Sequence, residues 1–111
     1  MTVLETERFL KDISSLLSET ECAELVSYIG ANPLAGQIIS GTGGVRKIRW
    51  ARSGRGKRGG ARVIYYYHSE RMPVFLLAAY GKNEKANLTP AERHAMKRLV
   101  PLLIAGYPRI R

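Results

Sequence analysis

Val45-Arg46-Lys47-Ile48-Arg49-Trp50, then Ser53-Gly54-Arg55-Gly56-Lys57-Arg58-Gly59-Gly60, then Ala61-Arg62-Val63-Ile64-Tyr65-Tyr66-Tyr67-His68 occupy the middle of the chain, and their reading decides the fold. The outer two runs are β-branched and aromatic, which suits a pleated, half-buried surface. The middle run is too polar and too rich in glycine for the interior of an element, so the order predicts two strands joined by a mobile hairpin loop. Side chains alternate across a strand: Ile48 and Trp50 share one face, Lys47 and Arg49 the other. In the second strand Val63, Tyr65 and Tyr67 oppose Arg62, Ile64 and Tyr66. Antiparallel pairing then sets Arg62 beside Lys47 or Arg49, and cations collect on one side of a sheet.

Upstream, Thr6 to Leu17 carries Phe9, Ile13, Leu16 and Leu17 at helical spacing, with Glu7, Lys11 and Asp12 for the wet side. Ser18-Glu19-Thr20-Glu21 is a capping-box sequence and predicts the start of a second helix. Its stripe is Cys22, Leu25, Val26 and Ile29, and Gly30, Asn32 and Pro33 end it. In that stripe Cys22 reads as a small hydrophobe rather than a nucleophile. Ile38 and Ile39 predict a short strand, with Gly41-Thr42-Gly43-Gly44 as a flexible corner before the first basic strand.

Downstream, Ser69 to Pro73 turns the chain into a third apolar strand, Val74 to Tyr80. A last helix starts at Thr89, with Pro90 at its first position and Glu92 three residues after the cap. Met96, Leu99, Val100 and Leu103 form its buried stripe. Pro101 lies within the stripe and predicts a kink or an early end. The expectation is an α+β fold in which two N-terminal helices pack on a small antiparallel β-sheet, followed by a C-terminal helix.

A chain of 111 residues has room for one core, and the expected organisation is one domain over 1–111. Its apolar fraction of 45% and charged fraction of 24% are those of a globular protein, so the basic run is mounted on a folded scaffold. One cysteine excludes an internal disulfide and a thiolate zinc site. The acidic N-terminus does not read as a signal peptide, and no apolar stretch approaches the roughly 20 residues of a bilayer span. A cytoplasmic location without a membrane partner is expected.

The net charge of +9 is unevenly spread: residues 1–45 hold two bases and six acids, residues 46–111 sixteen bases and three acids. Eight of those bases (Arg46, Lys47, Arg49, Arg52, Arg55, Lys57, Arg58, Arg62) fall between 46 and 62 with no acid among them. Such asymmetry marks a polyanion-binding face, and RNA is the expected partner. The basic half has too few His, Asp and Glu residues, at no ligand spacing, for metal catalysis. The glycine-rich run lacks the Gly-Lys-Ser/Thr ending of a phosphate loop and opens no helix, so no cofactor is expected. What remains is arginine and lysine chemistry on phosphodiesters. Guanidinium forks hold phosphate oxygens and stabilise charge on a pentacoordinate phosphorus, a crowded lysine can act as a base, and RNA carries its own 2′-hydroxyl nucleophile.

Three segments carry a family resemblance: Gly41-Thr42-Gly43-Gly44-Val45-Arg46-Lys47-Ile48-Arg49, then Gly56-Lys57-Arg58-Gly59-Gly60-Ala61-Arg62-Val63-Ile64-Tyr65-Tyr66, then Tyr80-Gly81-Lys82-Asn83-Glu84. Together they resemble the HigB-like branch of the RelE/ParE toxin superfamily. The resemblance implies a type II toxin that cleaves mRNA in the ribosomal A site without metal, leaving a 2′,3′-cyclic phosphate and a 5′-hydroxyl. It implies the ribosome and mRNA as partners, together with a cognate antitoxin, a HigA-like helix-turn-helix protein. By position, Lys47 and Arg49 match the strand bases of RelE-like enzymes, Arg62 the phosphate-clamping arginine, and Gly81-Lys82 the pair after the last strand. Lys47 or Lys82 would take or relay the 2′-hydroxyl proton, with Arg49 and Arg62 on the phosphorane.

The chain departs from the family at Asn83, where such enzymes carry an arginine, and it has no tyrosine near Leu88 or Thr89. Tyr80 or Tyr66 is the candidate for that tyrosine's place, and Tyr80 equally reads as a strand-end aromatic packed on the last helix. Arg46, Arg52, Arg55, Lys57, Arg58, Tyr66 and Lys85 are the expected contacts to RNA or the ribosome. Two other functions compete: a ParE-like poison of DNA gyrase, which needs no cation cluster around a scissile phosphate, and a non-catalytic RNA-binding module.

Overall fold

Side-chain oxygens start the N-terminal helices. Thr6 Oγ1 accepts from the Phe9 amide at 3.2 Å and opens α1, Glu7–Ser14. Ser18 Oγ accepts from the Glu21 amide at 3.1 Å while Glu21 Oε1 accepts from the Ser18 amide at 2.8 Å, the expected capping box, and α2 runs over Glu19–Ala31. α1 is shorter than the Thr6–Leu17 periodicity predicts. The Ser14 and Ser15 hydroxyls donate back to the Lys11 and Asp12 carbonyls, satisfying its last turn, and Leu17 reaches the core from the turn beyond. The computed structural model describes residues 1–51, 60–85 and 87–106.

The five strands are β1 (Val3–Glu5), β2 (Gln37–Ile38), β3 (Arg46–Trp50), β4 (Ala61–Tyr66) and β5 (Val74–Gly81). Their order in the sheet is β1-β5-β4-β3-β2. β1 lies parallel to β5 and the remaining pairs are antiparallel. β1 was not expected from sequence: three residues flanked by polar groups carry no period. It exists because the Val74 amide donates to Thr2 O and the Thr6 amide to Leu76 O, with the Thr6 hydroxyl adding a bond to Leu76 O at 2.8 Å.

The sheet is the middle of three layers. On one face α1 and α2 bring Phe9, Ile13, Leu25 and Ile29 onto Val63, Tyr65, Val74, Leu76 and Ala79. On the other, α3 (Pro90–Gly106) brings Met96 and Val100 onto Ile64, Tyr66, Phe75, Leu77 and Tyr80. Every residue of β5 is buried. A bulge makes this possible: Ile64 faces Ala78 but Tyr65 faces Leu76, so Leu77 is the extra residue and joins Ala78 on the α3 side. α3 does not end at Pro101 but continues to Gly106. Val100 on one side of the proline and Leu103 and Ile104 on the other are in the apolar cluster, so packing offsets the lost backbone bond.

Two tight corners deliver β3. Gly41, Gly43 and Gly44 take positive φ angles, and the fully buried Thr42 locks the corner by donating to Ile39 O at 2.6 Å and accepting from the Val45 amide at 3.0 Å. At Gly36 a β-carbon would come within 2.8 Å of the Tyr65 ring and 2.9 Å of Lys47 O, so only glycine fits. Tyr65 Oη accepts from the Gly36 amide at 2.8 Å and donates to Pro33 O at 2.9 Å. Tyr65→Phe would leave that buried amide without an acceptor. The expected loss is about 1–3 kcal/mol of unfolding free energy, read from urea denaturation.

Candidate functional site

Strand register assembles the site. Arg49 stands opposite Arg62 and Arg62 opposite Tyr80, so three strands contribute one row of side chains. The adjacent row is Gln37, Lys47, Ile64 and Ala78. The ladder continues past β4 and β5 by one bond, from the Lys82 amide to Gly60 O at 3.0 Å. A β-carbon on Gly60 would lie 3.7 Å from the Arg62 guanidinium and 4.0 Å from Lys82 Cβ, which places Gly60 between the two bases. Arg49, Arg62 and Tyr80, separate in the sequence, thus share one row, with Lys47 in the row to one side of it and Lys82 beyond it on the other.

Among the described residues no carboxylate pairs with these cations. The ion pairs there are Arg8–Asp12 and Lys85–Glu92; neither involves Lys47, Arg49, Arg62 or Lys82. Like charges directly opposite on neighbouring strands are unfavourable, and the arrangement Arg49–Arg62 calls for an anion between or above them. Arg49 and Lys82 are exposed and Lys47 and Arg62 half-buried, so the anion can come from solvent. Lys47 Nζ donates to Asn87 Oδ1 at 2.9 Å. Asn87 was invisible to sequence reasoning, because forty positions separate the pair and an asparagine before a helix cap has an ordinary local role.

Tyr80 is only 6% exposed and packs with the α3 cluster. Burial pushes its phenol pKa up, against the pull of Arg62 and with a further push from Glu92, so the hydroxyl is protonated at neutral pH. Lys85 Nζ sits 5.0 Å from the centre of the Tyr80 ring and is ion-paired with Glu92 in the first turn of α3. Lys85 therefore has protein partners of its own.

The other expected contacts are dispersed. Arg46 belongs to the opposite face, where its guanidinium donates to Gly36 O at 2.7 Å and Leu34 O at 3.3 Å. Tyr66 is buried in the α3 cluster, roughly 13 Å along β4 from Arg62, and its Oη shares a 3.1 Å hydrogen bond with His68 Nδ1. Arg52, Arg55, Lys57 and Arg58 lie outside the described residues. Cys22 is half-buried at the edge of the α1–α2 core, and burial, then Glu5, pushes its thiol pKa up.

The family model for the RelE toxin of the RelE/RelB toxin–antitoxin system matches residues 2–105. The chain belongs to the RelE toxin family. As a RelE-family member it is a toxin of a toxin–antitoxin system, with an antitoxin for a partner. No helix among its described residues is long and apolar enough to cross a membrane.

In this RelE-family toxin the hydrogen bond from Lys85, followed by that from the Thr89 amide, holds the Glu92 carboxyl below its ordinary pKa of 4.5. A depressed carboxylate contributes stability that is fully present above the unfolded value and disappears as pH falls through the folded one. Melting temperature followed against pH should show this acid limb. Glu92→Gln is expected to lower stability at neutral pH and to flatten the loss below about pH 4.5.

Proposed function

We propose that this RelE-family toxin is an endoribonuclease of the HigB-like branch that inhibits translation by cutting mRNA in the ribosomal A site. The observation that carries the reading is the row Arg49–Arg62–Tyr80, flanked by Lys47 and Lys82, with no carboxylate paired to any of the four cations among the described residues. A scissile phosphate seated on that row would accept guanidinium hydrogen bonds from two strands at once. The ribosome's share is to present the RNA in an in-line geometry, which leaves the protein the proton transfers and the charge.

In the proposed reaction the 2′-oxygen attacks the adjacent phosphorus as its proton passes to Lys47 Nζ. Arg49 and Arg62 stabilise the dianionic phosphorane. The bond to the 5′-oxygen breaks, that oxygen takes a proton from the Lys82 ammonium, and the products are a 2′,3′-cyclic phosphate and a 5′-hydroxyl. Tyr80 stands beside Arg62 as its buried cross-strand neighbour. The antitoxin of this reading is HigA-like, with a helix-turn-helix fold.

Mapping mRNA 5′ ends in a translating extract tests the reading. New ends that require the ribosome are expected, and Arg62→Ala should slow their appearance about 10²–10³-fold while the circular dichroism spectrum is retained. Equal cutting of naked RNA would remove the ribosome from the mechanism. Binding without cutting would leave an RNA-binding module, and inhibition of gyrase supercoiling with intact mRNA would mark a ParE-like poison.

A further inference from the structure

A lysine amine sits at the end of a flexible four-carbon stem and is spread over many rotamers unless something holds it. In this toxin something does. Lys47 Nζ donates to Asn87 Oδ1 at 2.9 Å, and Asn87 is itself held in place from the residues that follow it. Leu88 is inserted in the apolar cluster beside Met96. Thr89 and Glu92 form a second reciprocal capping box, with Glu92 Oε1 accepting from the Thr89 amide at 2.8 Å and Thr89 Oγ1 from the Glu92 amide at 3.1 Å. The N-terminus of α3 thereby brings an amide oxygen to the amine on β3.

Asparagine has two properties that suit this place. Its amide is neutral, so it fixes the amine without cancelling the positive field that Lys47, Arg49 and Arg62 present to an anion; a carboxylate would do both. Oδ1 is only an acceptor, and an amine keeps N–H groups in either protonation state. The bond therefore survives proton uptake, and it leaves the remaining face of Nζ to the reactant. Asn87 is exposed, and its bond to Lys47 joins two side chains at the surface, so the contact adds little to the stability of the fold.

We propose that Asn87 is a positioning residue that aims the Lys47 amine at the phosphate-binding row, a role that rests on the RNA-cleavage reading. Asn87→Ala should lower the single-turnover cleavage rate on mRNA-programmed ribosomes about tenfold, with half-saturating toxin concentration changed less than about twofold. In a Lys47→Ala background the same substitution should cost nothing further, since the residue it serves is gone. Asn87→Asp restores the acceptor but sets a negative charge against the amine that must take the proton, so the amine should again be held while the rate does not recover and the half-saturating concentration rises.

A second readout is independent of activity: 15N relaxation of the Lys47 side-chain amine should report greater mobility in Asn87→Ala than in the parent, at unchanged melting temperature. An unchanged relaxation rate overturns the proposal whatever the cleavage assay shows, as does an equal loss of rate with and without Lys47. If the parent protein cuts no mRNA while Asn87→Ala frees the Lys47 amine, the cleavage reading and with it the catalytic use of the contact are refuted, and the anchor alone stands.

Discussion

A slip of one residue in the pairing of β4 with its neighbours would turn Arg62 toward α1 and α2 and drive the fully buried Tyr65 toward α3. The register of the three central strands is held against that slip from both sides, because both faces of the sheet are covered. On the helical side Tyr65 is fixed by the loop after α2; on the other, Ile64 and Tyr66 are committed to the α3 cluster. The bulge at Leu77 reconciles the two commitments by letting β5 change parity midway. Everything at the proposed site follows from this register, including the facing pair Arg49 and Arg62.

That facing pair is unfavourable in the free protein, and the fold supports it with interactions elsewhere. Capping boxes start α2 and α3. Two apolar clusters lie on opposite sides of the sheet, and buried hydroxyls close the corners on either side of β2. On the proposed reading an anion completes a surface that is costly by itself.

α3 has two roles in this arrangement. Its middle closes the second core through Met96 and Val100. Its first turn reaches the basic end of the sheet, where Glu92 holds Lys85 over the Tyr80 ring and the residues just before the cap bring Asn87 to Lys47. The helix that finishes the fold is thus also in contact with the row of cations, and its packing and the placement of the lysine amine are linked.

Local patterns were enough for the helices, the three long strands, the caps at Ser18 and Thr89, and the facing of Lys47, Arg49 and Arg62, because each depends on periodicity or on groups within a few residues. The three family segments were legible in the same way, and the match over residues 2–105 agrees with them at the level of the RelE family. Tertiary structure decided what depends on partners distant in the sequence. β1 exists only as a ladder on β5, Arg46 is engaged by the loop before β2, and Tyr66 is covered by α3. Asn87 meets Lys47 from forty residues away. Charge and alternation along the chain determined which residues form the basic face, whereas packing of both sheet faces decided which of the described ones reach solvent and what holds them there.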